Sequence, residues 1–284
     1  MIKSANQYAV HELFSFEGNL TYRVPPYQRE YSWQKVQWED LFQDLVENDE
    51  AHFLGTIITL NQTVDAVANG VLELIDGQQR ATTLSLLLAA IYSVLRDHKD
   101  ELDEEGANEL FNLGKRLVSK SGQIRVSPQV QGHNRDDYLA VLADAGLKVE
   151  QTSKHPYFKL RRIYKCYEYF RQAITRLAES NGWDEVKAAL SVLDAAKRAI
   201  VVKIEVASHA DAFVLFESLN NRGMPLTPVD LIKNHLLAVS ELRGAMNVDE
   251  AFKLWNEILA NLGDNYANHE RFLRHYYNAF KAEL

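Results

Sequence analysis

The chain has a single cysteine, Cys166, among its 284 residues. It therefore cannot form an internal disulfide or a cysteine metal cluster. Its longest apolar stretch, residues 84–95, is shorter than the roughly 20 residues that span a bilayer. Residues 1–14 also lack the apolar core of a signal peptide. From these absences we expect a cytoplasmic protein.

Several short motifs that identify common enzymes are also missing. The sequence has no G-x-x-x-x-G-K-[ST] phosphate loop and no G-x-G-x-x-G dinucleotide fingerprint. It has neither an H-E-x-x-H zinc motif nor a G-x-S-x-G nucleophile elbow. Any enzymatic function must therefore depend on a less common arrangement of residues.

The charge balance is acidic but unevenly distributed. Lys+Arg is 31 and Asp+Glu is 39, which gives a net charge of −8 and argues against a protein that coats nucleic acid. Residues 97–109 carry seven acids and one lysine, whereas residues 154–176 carry seven Lys/Arg and one glutamate. The sequence therefore predicts a local basic face on an acidic globular protein.

The first hundred residues mix strand and helix patterns. Hydrophobic spacing predicts strands over 20–24, 53–60 and 71–75, the last two forming a hairpin, and helices over about 35–47 and 81–96. The later residues are mainly helical, with helices expected at about 107–118, 134–144, 156–180, 183–196, 209–222, 248–262 and 268–282.

Residues 198–206 interrupt the helical pattern with the alternation of a strand. A lone strand would leave backbone groups unpaired, so we expect it to join the N-terminal sheet and bring residues 207–235 near Asp76–Arg80. The prediction is an α+β fold. Residues 1–98 would form a small mixed sheet with its helices, and residues 99–284 a large helical part.

The segment Asp76-Gly77-Gln78-Gln79-Arg80 has the strongest chemical pattern, because a strand passes directly into a helix there. Free N–H groups and the helix dipole favour anions at a helix start, and an arginine fork matches phosphate. Asp76 would hold a magnesium ion or orient an attacking water. The alternative is structural: Asp76 caps the helix and Gln79 reaches back in a capping box.

The loop of residues 25–33, PPYQREYSW, places three aromatic residues, a glutamine and an arginine on a stiff path. Aromatic faces stack on bases, and Arg and Gln bond to base edges or phosphates. The alternative is an aromatic lid over the core.

A further polar cluster combines residues from two neighbouring predicted helices. Asn220 and Arg222 precede Gly223 at a predicted helix end, and Lys233 and Asn234 follow in the next helix. They would contact an anion or nucleotide. The alternative is helix capping, which we favour for Asp230 because Thr227 and Pro228 before it form a strong helix start.

The basic residues of the helix predicted at 156–180 could instead follow a phosphate backbone. They are Lys159, Arg161, Arg162, Lys165 and Arg171. A solvated helix face is the commoner explanation of such a pattern.

Four motifs occur in order and resemble a known family. They are residues 24–33 (VPPYQREYSW), 53–57 (FLGTI), 75–84 (IDGQQRATTL) and 216–234 (FESLNNRGMPLTPVDLIKN). The sequence resembles the N-terminal domain of GmrSD-type modification-dependent restriction proteins, which is shared with BrxU and SspE. One departure is Ala81, where a leucine is usual.

The resemblance implies a fold related to ParB and sulfiredoxin with a helical extension. It also implies an anti-phage domain that binds and hydrolyses a nucleoside triphosphate, with Mg²⁺ as the expected ion, and that senses modified phage DNA. An HNH-type nuclease region or partner chain, which we do not find in this sequence, would cut the DNA. The alternatives are a DNA-binding module without turnover and a ParB-like nuclease.

Matched residue by residue, the resemblance assigns two sets of site residues. The nucleotide or catalytic residues would be Asp76, Gln78, Gln79 and Arg80, with Asp76 at the metal. Tyr27, Gln28 and Arg29 would be pocket residues that touch nucleotide or DNA. The residue patterns described above add further nucleotide- or DNA-binding candidates: Trp33, Gly77, Asn220, Arg222, Lys233 and Asn234.

Overall fold

The computed structural model describes residues 1–15, 20–48, 51–63, 70–119, 121–130, 133–150, 154, 156–219, 227–263 and 265–280, without the side chains of 216–219. These residues form an α+β structure with a large helical part. None of the described helices is long and apolar enough to cross a membrane. Two compact units are present: residues 3–205, and residues 1–2 with 206–284. The boundary predicted at residues 98 and 99 falls inside the larger unit.

Nearly all of a six-stranded mixed sheet, in the order β1-β6-β3-β4-β2-β5, lies in the larger unit. The strands are β1 (Ile2–Ala9), β2 (Leu20–Arg23), β3 (Phe53–Asn61), β4 (Gly70–Asp76), β5 (Val126–Ser127) and β6 (Ile200–Val206). Strands β3 and β4 pair antiparallel, as the hairpin prediction required, while β2 runs parallel to both β4 and β5. The late strand β6 lies between β1 and β3.

Among the described residues, the larger unit has seven α-helices. They are α1 (Val10–Leu13), α2 (Lys35–Val46), α3 (Gln78–Asp97), α4 (Glu104–Leu117), α5 (Asn134–Asp144), α6 (Arg162–Asn181) and α7 (Glu185–Arg198). Helix α3 is buried along nearly its whole length and packs against α4, α6 and α7. Leu86, Leu87 and Ile91 are fully buried. Each such side chain stabilises the fold by about 1.5–3 kcal/mol, so this helix anchors the core.

The smaller unit contains the remaining helices. They are α8 (His209–Leu219), α9 (Pro228–Leu242), α10 (Val248–Leu262) and α11 (Tyr266–Phe280). Thr227 caps α9 and Asp230 completes its capping box, as predicted. Helix α9 packs against α8 and α10. The carboxylate of Glu241 accepts a hydrogen bond from His209 Nδ1 at 2.7 Å, which ties α9 to the start of α8.

Candidate functional site

The strand-to-helix turn at Gly77 places the candidate site at the end of β4. Gly77 has φ of +80°, and a Cβ there would lie 2.5 Å from Ile57 Cγ2. A left-handed backbone and this close approach both favour glycine. Helix α3 therefore begins at Gln78, three residues earlier than predicted. The turn leaves Asp76 as the last residue of the strand and Arg80 in the first helical turn.

The capping-box alternative for this turn is wrong. The N-cap residue of α3 is Gly77, and no side chain caps the helix. Gln79 instead reaches across to the 25–33 loop: its Oε1 accepts from the N–H of Ser32 at 2.8 Å, and its Nε2 donates to the carbonyl of Glu30 at 3.0 Å. The side chain of Gln79 therefore holds the loop against the start of the helix.

Gln28 and Gln78 form a second link between the same two segments. Gln28 Nε2 donates to the carbonyl of Ile75 at 2.7 Å, and its Oε1 accepts from Gln78 Nε2 at 3.1 Å. Gln129 Nε2 in turn donates to the carbonyl of Gln28 at 3.1 Å. Gln78 and Gln79 are both buried. Their amides bind protein groups here, and direct contact with a nucleotide stays a prediction.

A buried hydroxyl fastens the end of the loop to the core. Tyr31 Oη accepts from Trp38 Nε1 at 2.8 Å and lies 2.7 Å from Thr83 Oγ1. It also donates to Cys166 Sγ at 3.3 Å. The ring is 4% exposed. Tyr31 thus joins α2, α3 and α6, and the thiol of Cys166 is fully buried in the core.

The side chain of Arg80 contacts the first residues of β3. Its Nη1 donates to the carbonyl of Thr56 at 2.9 Å. A Cβ on Gly55, which has φ of +104°, would lie 2.8 Å from Arg80 Nη2. Glycine in a strand often marks a close approach, and this is the sequence signal for the contact. Gly55 therefore leaves room for the guanidinium at β3.

The charges at the turn act on one another. Burial raises the pKa of the Asp76 carboxyl, while the Gly77 N–H and the charges of Arg80 and Arg29 act to lower it. Burial also lowers the pKa of the Arg80 guanidinium, and the charge of Asp76 opposes that shift. The carboxylate of Asp76 therefore interacts electrostatically with the guanidinium groups of Arg80 and Arg29.

A cleft of about 200 Å³ opens beside Arg80. Trp33 lines it, as do Asp40, Asp44 and His52, which the sequence analysis did not single out. Asp40 and Asp44 lie on α2, and His52 directly precedes β3, so sequence spacing gave no reason to group them with Arg80. The cleft combines an aromatic face, one guanidinium and acceptor carboxylates.

Of the remaining predicted site residues, the structure describes Tyr27, Lys233 and Asn234. Tyr27 is buried at 3% exposure in the 25–33 loop. Lys233 and Asn234 lie on α9 of the smaller unit, where Lys233 Nζ is 3.5 Å from Asp230 Oδ1. Asn220 and Arg222 lie outside the described residues, so their approach to Arg80 stays a prediction.

The mixed sheet, its charged strand-to-helix turn and the large helical part define an α+β domain with a candidate anion-binding site. The family described as "GmrSD restriction endonuclease, N-terminal domain" matches residues 10–237, well over half of the chain. The chain therefore belongs to this family, and its role is related to restriction. No curated protein matches the chain.

Proposed function

We propose that the chain is a sensor domain of a modification-dependent restriction system, and that it binds and hydrolyses a nucleoside triphosphate at the Asp76–Arg80 turn. One observation carries the proposal: the Gly77 turn sets the half-buried carboxylate of Asp76, which does not cap α3, beside a cleft lined by Arg80, within electrostatic reach of Arg80 and Arg29. A carboxylate of this kind beside two cations is a frequent feature of functional sites.

The cleft suggests how the nucleotide is oriented. Its volume of about 200 Å³ is below the range of pockets that enclose a whole drug-sized ligand. We infer that it takes the base and ribose, with the base on Trp33 and the ribose hydroxyls on Asp40 or Asp44. The phosphates then extend toward Arg80 and Arg29, whose charges favour the polyanion.

Asp76 would act on the attacking water. Its raised pKa makes the carboxylate a stronger base than an exposed aspartate, and a general base works best when its pKa approaches the operating pH. The described residues contain no group of three His, Cys, Asp or Glu side chains arranged around a common metal site. One carboxylate fits an Mg²⁺ ion that arrives with the phosphates, which would supply charge neutralisation.

The glutamine links supply a route for sensing. Gln28 and Gln79 connect the start of α3 to the 25–33 loop by direct hydrogen bonds. A ligand that moves this loop must therefore break or re-form bonds at the catalytic turn. The loop is the element through which the state of bound DNA would reach the nucleotide.

The test compares phosphate release and nucleotide binding by the wild-type chain and by Asp76→Asn, with magnesium and each of the common nucleoside triphosphates. We expect Asp76→Asn to bind nucleotide but to lose hydrolysis by about 10²-fold or more, since a general base contributes about 10²–10⁴. The control Asp100→Asn changes an exposed aspartate and should leave the rate unchanged. A wild-type chain that neither binds nor hydrolyses any nucleotide disproves the proposal.

A further inference from the structure

A second cleft lies between α2 and α6, beside the turn at residues 158–160. Its volume is about 330 Å³. Three ammonium groups, two tyrosine rings and one carboxylate line it, from Lys35, Lys159, Lys165, Tyr164, Tyr169 and Glu168. All these residues belong to the larger unit.

The lysines of this cleft are available to a ligand. Among the described residues, neither Lys159 nor Lys165 forms an ion pair with a carboxylate, and both side chains are exposed. Lys35 Nζ lies 3.1 Å from Glu39 Oε1 in an exposed pair. Such pairs contribute about 0–1 kcal/mol, so a phosphate can replace Glu39 at little cost.

Two arginines of the same segment have structural roles instead. Arg161 pairs with the buried carboxylate of Asp137. Arg171 Nη2 lies 2.9 Å from Asp97 Oδ2. The sequence grouped these arginines with Lys159 and Lys165, but the structure separates the two sets and adds Lys35 from α2. The cations that face the cleft are therefore lysines from two distant parts of the chain.

The aromatic rings provide a stacking surface. Lys159 Nζ is 5.9 Å from the ring centroid of Tyr164, and Tyr169 lies 6.0 Å from the ring of Trp38. Both tyrosines are half-buried, so their rings are held in place while part of each remains accessible. Stacking of a base on such a ring contributes about 1–3 kcal/mol.

The charge of the cleft is opposite to that of the protein. Its one carboxylate, Glu168, accepts a hydrogen bond from Gln172 Nε2 at 3.2 Å and faces three ammonium groups. The whole chain carries a net charge of −8. A positive cleft in an acidic protein attracts a polyanion to one place and repels it elsewhere.

We propose that this cleft binds one unstacked nucleotide of a DNA strand, with phosphates on the three lysines and the base on Tyr164 or Tyr169. A base inside a duplex offers no free face for stacking, so the ligand is a single strand or a nucleotide turned out of a duplex. The site is distinct from the Asp76–Arg80 turn and goes beyond the proposed hydrolysis.

The experiment measures binding of a short fluorescent oligothymidylate by anisotropy, without nucleoside triphosphate, over a series of salt concentrations. We expect Lys159→Ala and Lys165→Ala each to weaken binding about three- to tenfold, and to reduce the salt slope by about 0.7 for each lost phosphate contact. Tyr164→Leu should weaken binding about fivefold or more with the slope unchanged, whereas Tyr164→Phe should bind like the wild type.

The matched control is Lys187→Ala on α7. Lys187 is also exposed and lies over an aromatic ring, 4.6 Å from the centroid of Trp183, but it is not part of this cleft. The Lys187→Ala variant should bind the oligonucleotide as tightly as the wild type does. The proposal is disproved if Lys187→Ala and Lys165→Ala lose the same amount of affinity for the oligonucleotide. It is also disproved if all the cleft variants bind the oligonucleotide as tightly as the wild type.

Two competitors identify the ligand class. The first competitor is polyglutamate. If it displaces the oligonucleotide as effectively as unlabelled DNA does, the cleft binds an acidic protein and the proposal is overturned. The second competitor is thymidine monophosphate. If it binds as tightly as the oligonucleotide, the cleft is a site for free nucleotides and the proposal is also overturned. Phosphate release by the same variants should stay at the wild-type rate, so failure at this cleft and failure of the proposed hydrolysis can be told apart.

Discussion

Gln28 Oε1 accepts a hydrogen bond from Gln78 Nε2 at 3.1 Å, and this contact joins the 25–33 loop to the first residue of α3. The two residues are 50 positions apart in the sequence. Gln79 adds three further bonds to the same loop. The loop and the helix start therefore behave as one structural element.

Gln79→Ala should lower the free energy of unfolding by about 1–3 kcal/mol, because it leaves half-buried backbone groups of the loop without hydrogen bonds. Urea unfolding followed by circular dichroism measures the change. Gln43→Ala on α2 removes an exposed glutamine and serves as the control. Equal stability of the two variants would show that Gln79 does not hold the loop.

Gly55→Ala should impair both stability and nucleotide binding. The added Cβ would lie 2.8 Å from Arg80 Nη2 at a φ of +104°. Gly122→Ala is the matched control, since Gly122 has φ of +80° and no atom within 4 Å of an added Cβ. Both variants suffer a backbone cost of about 1–2 kcal/mol. Only Gly55→Ala should also weaken nucleotide binding in calorimetry, and equal affinity in both variants would contradict the role of Arg80.

Tyr31→Phe should cost about 1–3 kcal/mol of stability, because Trp38 Nε1 and Thr83 Oγ1 lose a buried partner while the ring volume is kept. Tyr157→Phe is the control, since Tyr157 is 80% exposed. Thermal unfolding of the two variants makes the comparison. A Tyr31→Phe protein as stable as Tyr157→Phe would mean that the hydroxyl network adds nothing to the fold.

His98 should make stability depend on pH. Hydrogen bonds to Glu101 and Glu185 raise the pKa of His98 above its ordinary value of 6.5. A raised folded-state pKa gives stabilisation that is fully present below pH about 6.5 and is lost as the pH rises through the folded pKa.

The matching variant is His98→Gln, which keeps hydrogen-bonding groups but cannot titrate. The wild type should exceed it in urea midpoint at pH 5.5, and the difference should shrink by pH 8.5. The hydrogen bond from Thr175, together with the contact with His98, lowers the pKa of Glu185 below its ordinary value of 4.5, so the contribution of Glu185 fades only as the pH falls through that lowered value. A difference that is constant with pH would contradict the charged contact.

Local patterns predicted much of the fold. The bounds found for α5 and α10 are those expected from periodicity, and the antiparallel β3–β4 hairpin follows from its apolar strands and intervening turn residues. Strand β1 was not predicted, because residues 2–9 are largely polar and lack clear alternation. Strands at a sheet edge need little apolar sequence, so periodicity detects them poorly.

The arrangement of the candidate site was harder to predict than the fold. The sequence marked Asp76 and Arg80 correctly as residues of one turn, since a strand, a glycine and a helix follow in order. It did not show that Gln79 binds the loop, because that choice depends on backbone groups 46–49 positions away. Lys35 was missed for the same reason, since only packing of α2 against α6 brings it to Lys165.

The place of β6 inside the sheet determines which fragments can be prepared. A fragment that stops before residue 200 would expose the hydrogen-bonding edges of both β1 and β3, and exposed edges promote aggregation. Recombinant pieces carrying the Asp76–Arg80 turn must therefore run through Val206, and shorter ones should be recovered mainly as insoluble material.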